Sequence, residues 1–433
     1  MRHARPALFT IAPDRPFLKD VVDGLYADPR FGLDGDPVAL ARTRIFLPTR
    51  RACRALVEVL VEANNGRPML MPRITPLGDI DEDEFDPQHD EGKEGYDTAA
   101  VADIPPAISP LRRNLLLARL VTAAKSGRIA PDQALNLAGE LARLLDQVHT
   151  EGLDFAKLAN LVPDDFARHW QITLEFLAII TSHWPKMLAE EGSIDPADRR
   201  NRVLRKQARL WLAHPPDTPV IAAGSTGSLP ATAELLAVIA ACPRGAVVLP
   251  GLDTQADEAT WAALESSHPQ YAMAQLLKHI GVARDAVQAW PEQTAPSTPT
   301  VALRTRMINL ALRPAKTAHA PAHWPPLEQT LNDCVRIVAP TPQDEARTVA
   351  LILREALTHP THRGVLVTPD RTLARRVAAE LERWNITVDD SAGVPLDNTQ
   401  PGTFLRLTAR MLADRLAPVS LLAALKHPLA MAG

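Results

Sequence analysis

Apolar residues in this chain alternate between short continuous runs and stretches with helical spacing, which is typical of an α/β protein. Residues 7–12 and Ile45–Leu47 are the first two apolar runs, and we expect both to be buried strands. Helical spacing follows each run, at about residues 16–26 and at 52–60. Asp14 is the expected N-cap of the first of these helices. The chain therefore opens with two strand–turn–helix units.

The same alternation returns further along the chain. The apolar run that begins at Met69 predicts a third strand, with a turn at Arg73–Thr75. Strands are also predicted at Val220–Ala223 and Ala246–Leu249. In the last hundred residues the pattern predicts strands at Arg336–Ala339, at Val365–Val367 and at Ile386–Val388, with amphipathic helices between them.

A long helical region separates the early strands from the later ones. From Ser109 to about Ala213 the apolar residues repeat at intervals of three and four. Ser109–Pro110 favours a helix start, with proline at the first helical position. The expected buried stripes consist of Leu135, Ala138, Leu141, Leu145, Val148 and of Trp170, Leu174, Leu177. This region is predicted to be an all-helical subdomain inserted into the first α/β lobe.

The length and composition of the chain indicate more than one domain. A chain of 433 residues exceeds what one core usually organises. The predicted segments are the first part of lobe one at 1–105 (with an acidic loop at 79–97), a helical insertion at 106–214, the rest of lobe one at 215–312, a proline-rich linker at 313–330 and an incomplete second lobe at 331–433.

Charge and cysteine content exclude several classes of protein. The net charge of −4 argues against a uniformly basic nucleic-acid coat, although a local basic track remains compatible with it. The three cysteines, Cys53, Cys242 and Cys334, lack the spacing of a zinc site or a disulfide framework. No apolar run reaches the length of a membrane span. We expect a soluble cytoplasmic protein without a membrane partner.

The turn after the second strand carries the most informative chemistry. Pro48-Thr49-Arg50-Arg51 places a hydroxyl and two guanidiniums at the start of a helix, and Arg54 follows one turn later. Ligands of α/β sheets collect at the carboxyl ends of strands, and arginine suits bidentate phosphate contacts. We expect these residues, together with Arg73 and Thr75, to form one rim that contacts phosphates.

A similar unit recurs late in the chain, where Thr368 and Arg371 occupy the corresponding turn. We expect both turns to contact the backbone of a single DNA strand without reading its bases. Solvated surface arginines remain the alternative at each position. A run of six cations between Arg199 and Arg209 is a weaker DNA candidate, because basic helices are often only solvated.

The turn after the first strand lacks the features of a phosphate-binding loop. Such a loop needs glycines and a Lys-Ser/Thr pair, whereas Ala12–Phe17 holds two prolines, an aspartate and no glycine. A second candidate for phosphate binding is the turn formed by Gly224, Ser225, Thr226, Gly227 and Ser228. The alternative for this turn is a tight connection in which Thr226 or Ser228 caps the next helix.

Eight segments together characterise the chain by their number and order: LPTRRACRAL (47–56), PRITPLGDIDEDE (72–84), EGLDFAKL (151–158), HWPKMLAEEGSIDPADRRN (183–201), VIAAGSTGSLPATAELLAVIA (220–240), GAVVLPGLD (245–253), LVTPDRTLARRVAAEL (366–381) and VDDSAGVPL (388–396). In this order they resemble AddB proteins, the second subunits of the bacterial AddAB helicase–nucleases, most closely the alphaproteobacterial ones. No single segment is diagnostic, but the similarity covers the whole chain.

The resemblance implies two degenerate RecA-like lobes of the superfamily-one helicase type. It places LPTRR at a motif that contacts single-stranded DNA, and VTPDR in a motif region of the second lobe. Ala12–Phe17 would replace the phosphate loop, and the Gly224 turn would replace the metal-holding acidic motif. In this family AddA is the motor that hydrolyses ATP, and AddB guides the emerging strand and cuts it.

The family's nuclease domain needs an iron–sulfur cluster held by four cysteines and a magnesium site, and this sequence shows neither. We therefore expect the N-terminal part of an AddB-like subunit without catalysis or cofactor of its own. Its expected partners are AddA and single-stranded or end DNA, in double-strand break repair by homologous recombination. The alternatives are a nucleotide-binding α/β enzyme that uses the Gly224–Ser228 turn, or a protein-interaction scaffold.

Overall fold

The chain separates into two compact units, Met1–Asn332 and Asp333–Gly433, in a computed structural model. The structure describes residues 6–33, 37–78, 101, 103–124, 129–153, 179–290, 298–318, 324–360 and 362–430. The acidic loop predicted at 79–97 lies outside these residues, as does the apolar stripe predicted at Trp170, Leu174 and Leu177.

Six parallel strands form the centre of the first unit, in the order β3-β2-β4-β5-β1-β6. Because parallel sheets are covered on both faces, their strands are nearly continuous apolar runs. The α/β class is therefore confirmed, as are the strands predicted at 7–12, Ile45–Leu47, Val220–Ala223 and Ala246–Leu249, whereas the strand predicted from Met69 lies instead at Arg73–Pro76. The strands are β1 (Leu8–Ile11), β2 (Arg44–Leu47), β3 (Arg73–Pro76), β4 (Val220–Ala223), β5 (Gly245–Pro250) and β6 (Gln288–Ala289).

Helices of the first unit cover both faces of this sheet, and others build the helical insertion. Their bounds are α1 (Phe17–Ala27), α2 (Pro37–Arg42), α3 (Arg50–Ala63), α4 (Pro110–Ala124), α5 (Pro131–Thr150), α6 (Trp184–Glu190), α7 (Pro196–Ala213), α8 (Pro230–Ala241), α9 (Glu258–Ala262), α10 (Tyr271–Ile280), α11 (Pro299–Ala311) and α12 (Leu327–Thr330). One core joins α1 and α3 to the sheet, and the opposite core joins α7, α8 and α10 to it.

Three local predictions in this unit are wrong. Asp14 does not cap α1, since Pro16 occupies the cap position and no side chain bonds there. Arg73–Thr75 belongs to strand β3 and is not a turn, because it pairs in register with β2. Leu135 is 43% exposed and lies outside the buried stripe of α5, whereas Ala138, Leu141, Leu145 and Val148 are buried.

The helical insertion has its own core, which α4, α5, a short π-helical turn at Ile179–His183 and α6 build together. Helix α4 begins at Pro110, as predicted. The described residues also contain one isolated β-bridge, between Ala107 and Ile194. Helix α7 packs against α8, and its Val203 and Trp211 complete the core beneath the sheet. The last helix of the predicted insertion thus belongs physically to lobe one.

A buried carboxylate joins the helices of the insertion. Asp195, the residue before α7, accepts a hydrogen bond from Trp184 Nε1 at 2.9 Å and lies 3.3 Å from His149 Nε2. Arg113 Nε lies 2.9 Å from its Oδ1, although the two are not aligned as a hydrogen bond. Burial acts to raise the pKa of Asp195, but His149, Arg113 and Trp184 outweigh it and lower the pKa.

The described residues of the second unit are helical where they are regular, with α13 (Pro342–Ala356), α14 (Arg371–Glu382), α15 (Gln400–Ala413) and α16 (Pro418–Leu425). The strands expected at 336–339, 365–367 and 386–388 form no hydrogen-bonded ladder there, so those predictions are wrong for the part described. Val365 and Val367 remain 77% and 90% exposed. The small core of this unit forms between α13 and α14.

In the described part of the chain, no helix is long and apolar enough to cross a membrane.

Candidate nucleic-acid interface

The turn between β2 and α3 presents its polar residues from a rigid helix start. Thr49 is the N-cap of α3, and its side-chain oxygen accepts a hydrogen bond from the N–H of Ala52 at 3.1 Å. Arg50 begins the helix and is half-buried, whereas Arg51 and Arg54 are exposed. Residues three apart lie on one face of a helix, so Arg51 and Arg54 extend the same charged surface.

The loop that follows β4 lies directly beside this turn. Strands β2 and β4 are hydrogen-bonded neighbours, with Phe46 opposite Ala222. A Cβ atom built on Gly224 would lie 3.5 Å from Pro48 Cδ, so the two turns are in contact. The two segments that are separate phosphate candidates in the sequence therefore form one surface. We call this surface, which lies at the carboxyl ends of β2 and β4, the β2–β4 edge. It consists of Thr49, Arg50, Arg51, Ser225 and Thr226.

The loop at Gly224–Ser228 does not have the geometry of a phosphate cradle. Helix α8 begins only at Pro230, which lacks an N–H donor, and neither Thr226 nor Ser228 caps it, since Leu229 occupies that position. Gly227 packs against α10, where an added Cβ would lie 2.8 Å from Leu276 Cδ1. The loop offers hydroxyl groups at the β2–β4 edge rather than a helix N-terminus.

Arg73 and Thr75 do not join this surface. Strand β3 runs parallel to β2, and Arg73 pairs with Arg44 at the amino end of both strands. Three residues of strand, roughly 10 Å, separate Arg73 from the carboxyl end at Pro76. Thr75 lies within the strand and is only 7% exposed. The predicted single rim therefore does not include these two residues, because the turn on which it depended is a strand.

The turn after β1 is closed by an ion pair within the chain. The guanidinium of Arg15 donates two hydrogen bonds to the carboxylate of Asp20, from Nε to Oδ2 at 2.6 Å and from Nη2 to Oδ1 at 3.0 Å. Asp20 lies in the first turn of α1 and is only 1% exposed. A carboxylate of the protein thus holds the arginine of this turn, at the helix start where a nucleotide-binding protein would place a phosphate.

The corresponding turn of the second unit differs from the first in its cap. Asp370, not Thr368, caps α14, and its carboxylate accepts a hydrogen bond from the N–H of Thr372 at 2.7 Å. Thr368 Oγ1 accepts a hydrogen bond from the N–H of Asp370. Arg371 is paired with both oxygens of Asp390, at 2.9 and 2.7 Å. The arginine of this turn is therefore already held by a carboxylate.

No protein-family model and no curated protein matches this chain.

Most cations of the basic helix α7 form hydrogen bonds or ion pairs with other groups of the protein. Arg199 is buried, and its Nε donates to the carbonyl of Pro105. Arg202, Arg205 and Lys206 pair with carboxylates, those of Asp198, Glu234 and Asp103 respectively. Arg200 donates to Thr150 Oγ1 at 2.9 Å. The contacts of Arg199, Arg200, Arg205 and Lys206 attach α7 to neighbouring segments, whereas the Arg202–Asp198 pair lies within the helix.

Among the described residues, no group of three or more histidine, cysteine, aspartate or glutamate side chains is arranged to hold a metal ion. Sequence reasoning missed that Ser225 and Thr226 share a surface with Arg50. The signal that could have revealed it is general: turns that follow neighbouring strands of a parallel sheet share one edge.

Proposed function

We propose that this chain binds single-stranded DNA at the β2–β4 edge, as a helicase-like subunit that does not itself hydrolyse nucleotide. The observation that carries the proposal is the contact between Pro48 and Gly224, which joins the two polar turns. Guanidiniums and hydroxyls at a strand edge are the groups that proteins use to hold a nucleic-acid backbone. They position a strand without reading its sequence.

The turn after β1 argues against the competing proposal of a nucleotide-driven enzyme. It has no glycine, and Asp14 introduces a negative charge there. Arg15 is held by Asp20, so this guanidinium is committed to a carboxylate of the protein. The first N–H position of α8 is taken by Pro230. The turn after β1 thus has no glycine to bring backbone N–H groups close to a phosphate, and α8 begins with a residue that has no N–H to donate.

The resemblance to AddB proteins supports a more specific proposal. In it, the first unit is a degenerate RecA-like lobe, the second unit contributes Thr368 and Arg371, and the chain works with AddA at broken DNA ends in the cytoplasm. Its place would be homologous recombination, where the chain guides the strand that the motor subunit releases. Nuclease chemistry, with its iron–sulfur cluster and magnesium, is not proposed for this chain.

The proposal is tested by changing arginines at opposite ends of the sheet. Arg50→Ala combined with Arg51→Ala is expected to weaken binding of a single-stranded oligonucleotide roughly tenfold, irrespective of base sequence. The slope of log affinity against log salt should fall by about 0.7 for each phosphate that the variant no longer neutralises. Fluorescence anisotropy over a series of salt concentrations measures both quantities.

Arg73→Ala is the matched control, because it removes an exposed arginine from the amino end of β3. It is expected to leave affinity and salt slope close to those of the unmodified protein. Equal effects of the Arg73 and Arg50/Arg51 variants would show that the β2–β4 edge is not the binding site. Stabilisation by ATP with magnesium in a thermal-shift assay would instead favour the nucleotide enzyme.

A further inference from the structure

In the sheet of the first unit, the connections that leave β1 and β5 run in opposite directions along the sheet. After β1 the chain passes through α1 toward β2, on one side of the sheet order. After β5 it passes through α9 and α10 to β6, on the other side. Helices α1 and α10 accordingly lie in cores on opposite faces of the sheet. In open α/β sheets the crevice at such a reversal, outside the carboxyl ends of the strands, is where ligands bind.

A cavity of about 280 Å³ occupies this crevice. Its walls come from Ala12–Asp14 after β1, from Gly251–Gln255 after β5 and from one side of α11. In the sheet order, β4 and β5 lie between β1 and β2. The turn after β1 is therefore roughly 14 Å from the turn after β2 at the usual spacing between strands, whereas the loop after β5 is one strand spacing from the loop after β4.

The residues lining the cavity do not suit a phosphate. Asp14 and Asp253 bring two carboxylates to its walls, and the loop after β1 contributes Pro13 in place of a backbone donor. Asp253 Oδ1 is already bonded to the N–H groups of Gln255 and Ala256. Asp14 is half-buried, whereas Arg306, the cation that lines the cavity from α11, is exposed and better screened by solvent, so the site disfavours an anionic ligand.

The same walls suit a flat heterocycle with hydrogen-bond donors and acceptors on its edge. Leu252 and Val287 are buried apolar residues of the lining. Asn309 lines the cavity from α11, and a carboxamide can pair with both a donor and an acceptor of a base edge. Arg306, exposed on the same helix, also lines the cavity. A nucleobase has a flat apolar face and carries both donors and acceptors on its edge. A simple amine offers only donors, and a phosphate offers mainly acceptors.

We propose that this cavity binds a nucleobase or nucleoside without a phosphate in the pocket. The base lies between the loops after β1 and β5, with its donor groups toward Asp14 and its edge toward Asn309. Two sources share this chemistry, a free nucleoside and an unstacked base of a bound strand. The proposal does not depend on DNA binding at the β2–β4 edge, since no residue of that edge lines the cavity.

Titration of the full chain with adenosine, cytidine, guanosine and thymidine, followed by saturation-transfer NMR, tests the proposal. A dissociation constant on the order of 0.1 mM is expected for at least one nucleoside, given the usual affinity per ligand atom. The corresponding monophosphate should bind about fivefold more weakly, because of repulsion by Asp14. Asp14→Asn should reduce that preference for the nucleoside, whereas Asp285→Asn, at an exposed position away from the lining, should preserve it.

Two further variants test the pocket itself. Asn309→Ala should weaken nucleoside binding about tenfold, and Ala302→Phe, which fills the cavity from an exposed position on α11, should abolish it. Absence of saturable binding at millimolar nucleoside, or binding unchanged in all three cavity variants, would overturn the proposal. Arg50→Ala/Arg51→Ala should not alter nucleoside binding, so failure here is distinguishable from failure of the DNA site.

A single-stranded oligonucleotide distinguishes the two sources. If a base of the bound strand enters the cavity, the oligonucleotide displaces the nucleoside, and Ala302→Phe weakens oligonucleotide binding. If the ligand is a free nucleoside, the oligonucleotide and the nucleoside bind together, and Ala302→Phe affects only the nucleoside. Either result supports a base pocket at the β1–β5 crevice.

Discussion

Gly224 packs against Pro48, and this contact joins the loop after β4 to the turn after β2. Gly224 has a φ of +78°, a conformation that residues with a Cβ adopt only at a cost. An added Cβ would also lie 3.2 Å from Phe17 Cε1, at the start of α1. The position therefore needs glycine for two separate reasons, backbone conformation and close packing of three segments at one edge.

Gly224→Ala is expected to destabilise the protein by about 2 kcal/mol, of which roughly 1 kcal/mol is the cost of the positive φ. Gly281→Ala is the matched control, because Gly281 has a φ of +76° and no atom within 4 Å of an added Cβ. Urea unfolding followed by circular dichroism measures both variants. Equal destabilisation would mean that the close packing against Phe17 and Pro48 contributes nothing.

Removal of the Thr49 cap should destabilise α3 and weaken DNA binding together. Thr49→Ala removes the acceptor of the Ala52 N–H and is expected to cost about 1 kcal/mol in the free energy of unfolding. Thr49→Ser keeps the hydroxyl and should retain both the stability and the DNA affinity of the unmodified protein. If Thr49→Ala lowers stability but leaves oligonucleotide affinity unchanged, the hydroxyl is a cap only and does not hold a phosphate at the β2–β4 edge.

Strands β1, β2, β4 and β5 were predictable because each is a short, mostly apolar run that is buried in the parallel sheet. Ile45, Ile221 and Val248, each fully buried, show the pattern. The role of Arg73 was not predictable in the same way. A turn was expected at Arg73–Thr75, but these residues extend β3 as far as Pro76, which lies at the end of an edge strand, where a missing N–H removes no bond from the ladder.

The second unit shows the limit of predicting strands from hydrophobicity alone. Val365, Leu366 and Val367 have the composition of a strand, yet a strand forms only when a neighbour supplies its hydrogen bonds. Leu366 packs on the α13–α14 core while the two valines remain exposed. Likewise, the pairing of Arg371 with Asp390, nineteen residues later in the chain, is a tertiary contact that local periodicity does not reveal.

The Arg371–Asp390 pair predicts that removal of a carboxylate in the second unit increases DNA affinity. Asp390→Ala should release Arg371 and raise the affinity for single-stranded DNA, with a salt slope steeper by about 0.7 if Arg371 then neutralises one phosphate. Adding Arg371→Ala should cancel the increase. Asp397→Ala removes a charge from the same unit without touching Arg371, so an equal increase in that control would assign the effect to net charge alone.

The buried carboxylate of the helical insertion predicts how stability depends on pH. The pKa of Asp195 is lowered in the folded protein. Its stabilising contribution is therefore complete above the unfolded value of about 3.9 and is lost as the pH falls through the lower folded value. Asp195→Asn leaves Arg113 buried without this partner and should cost about 3 kcal/mol at pH 7. The difference in the free energy of unfolding between this variant and the unmodified protein should begin to decrease below about pH 4.

Asp198→Asn provides the comparison, because Asp198 lies three residues away and pairs with the exposed Arg202 on the surface of α7. Its effect should stay below about 1 kcal/mol at every pH, as is usual for surface ion pairs. Urea midpoints at pH 7, 4 and 2 separate the two cases. A loss of stability in Asp195→Asn that persists unchanged at pH 2 would show that the carboxylate contributes through shape and not through charge. The four helices that converge on Asp195 would then be held by packing and by their other hydrogen bonds, such as Arg200–Thr150, without a contribution from this charge.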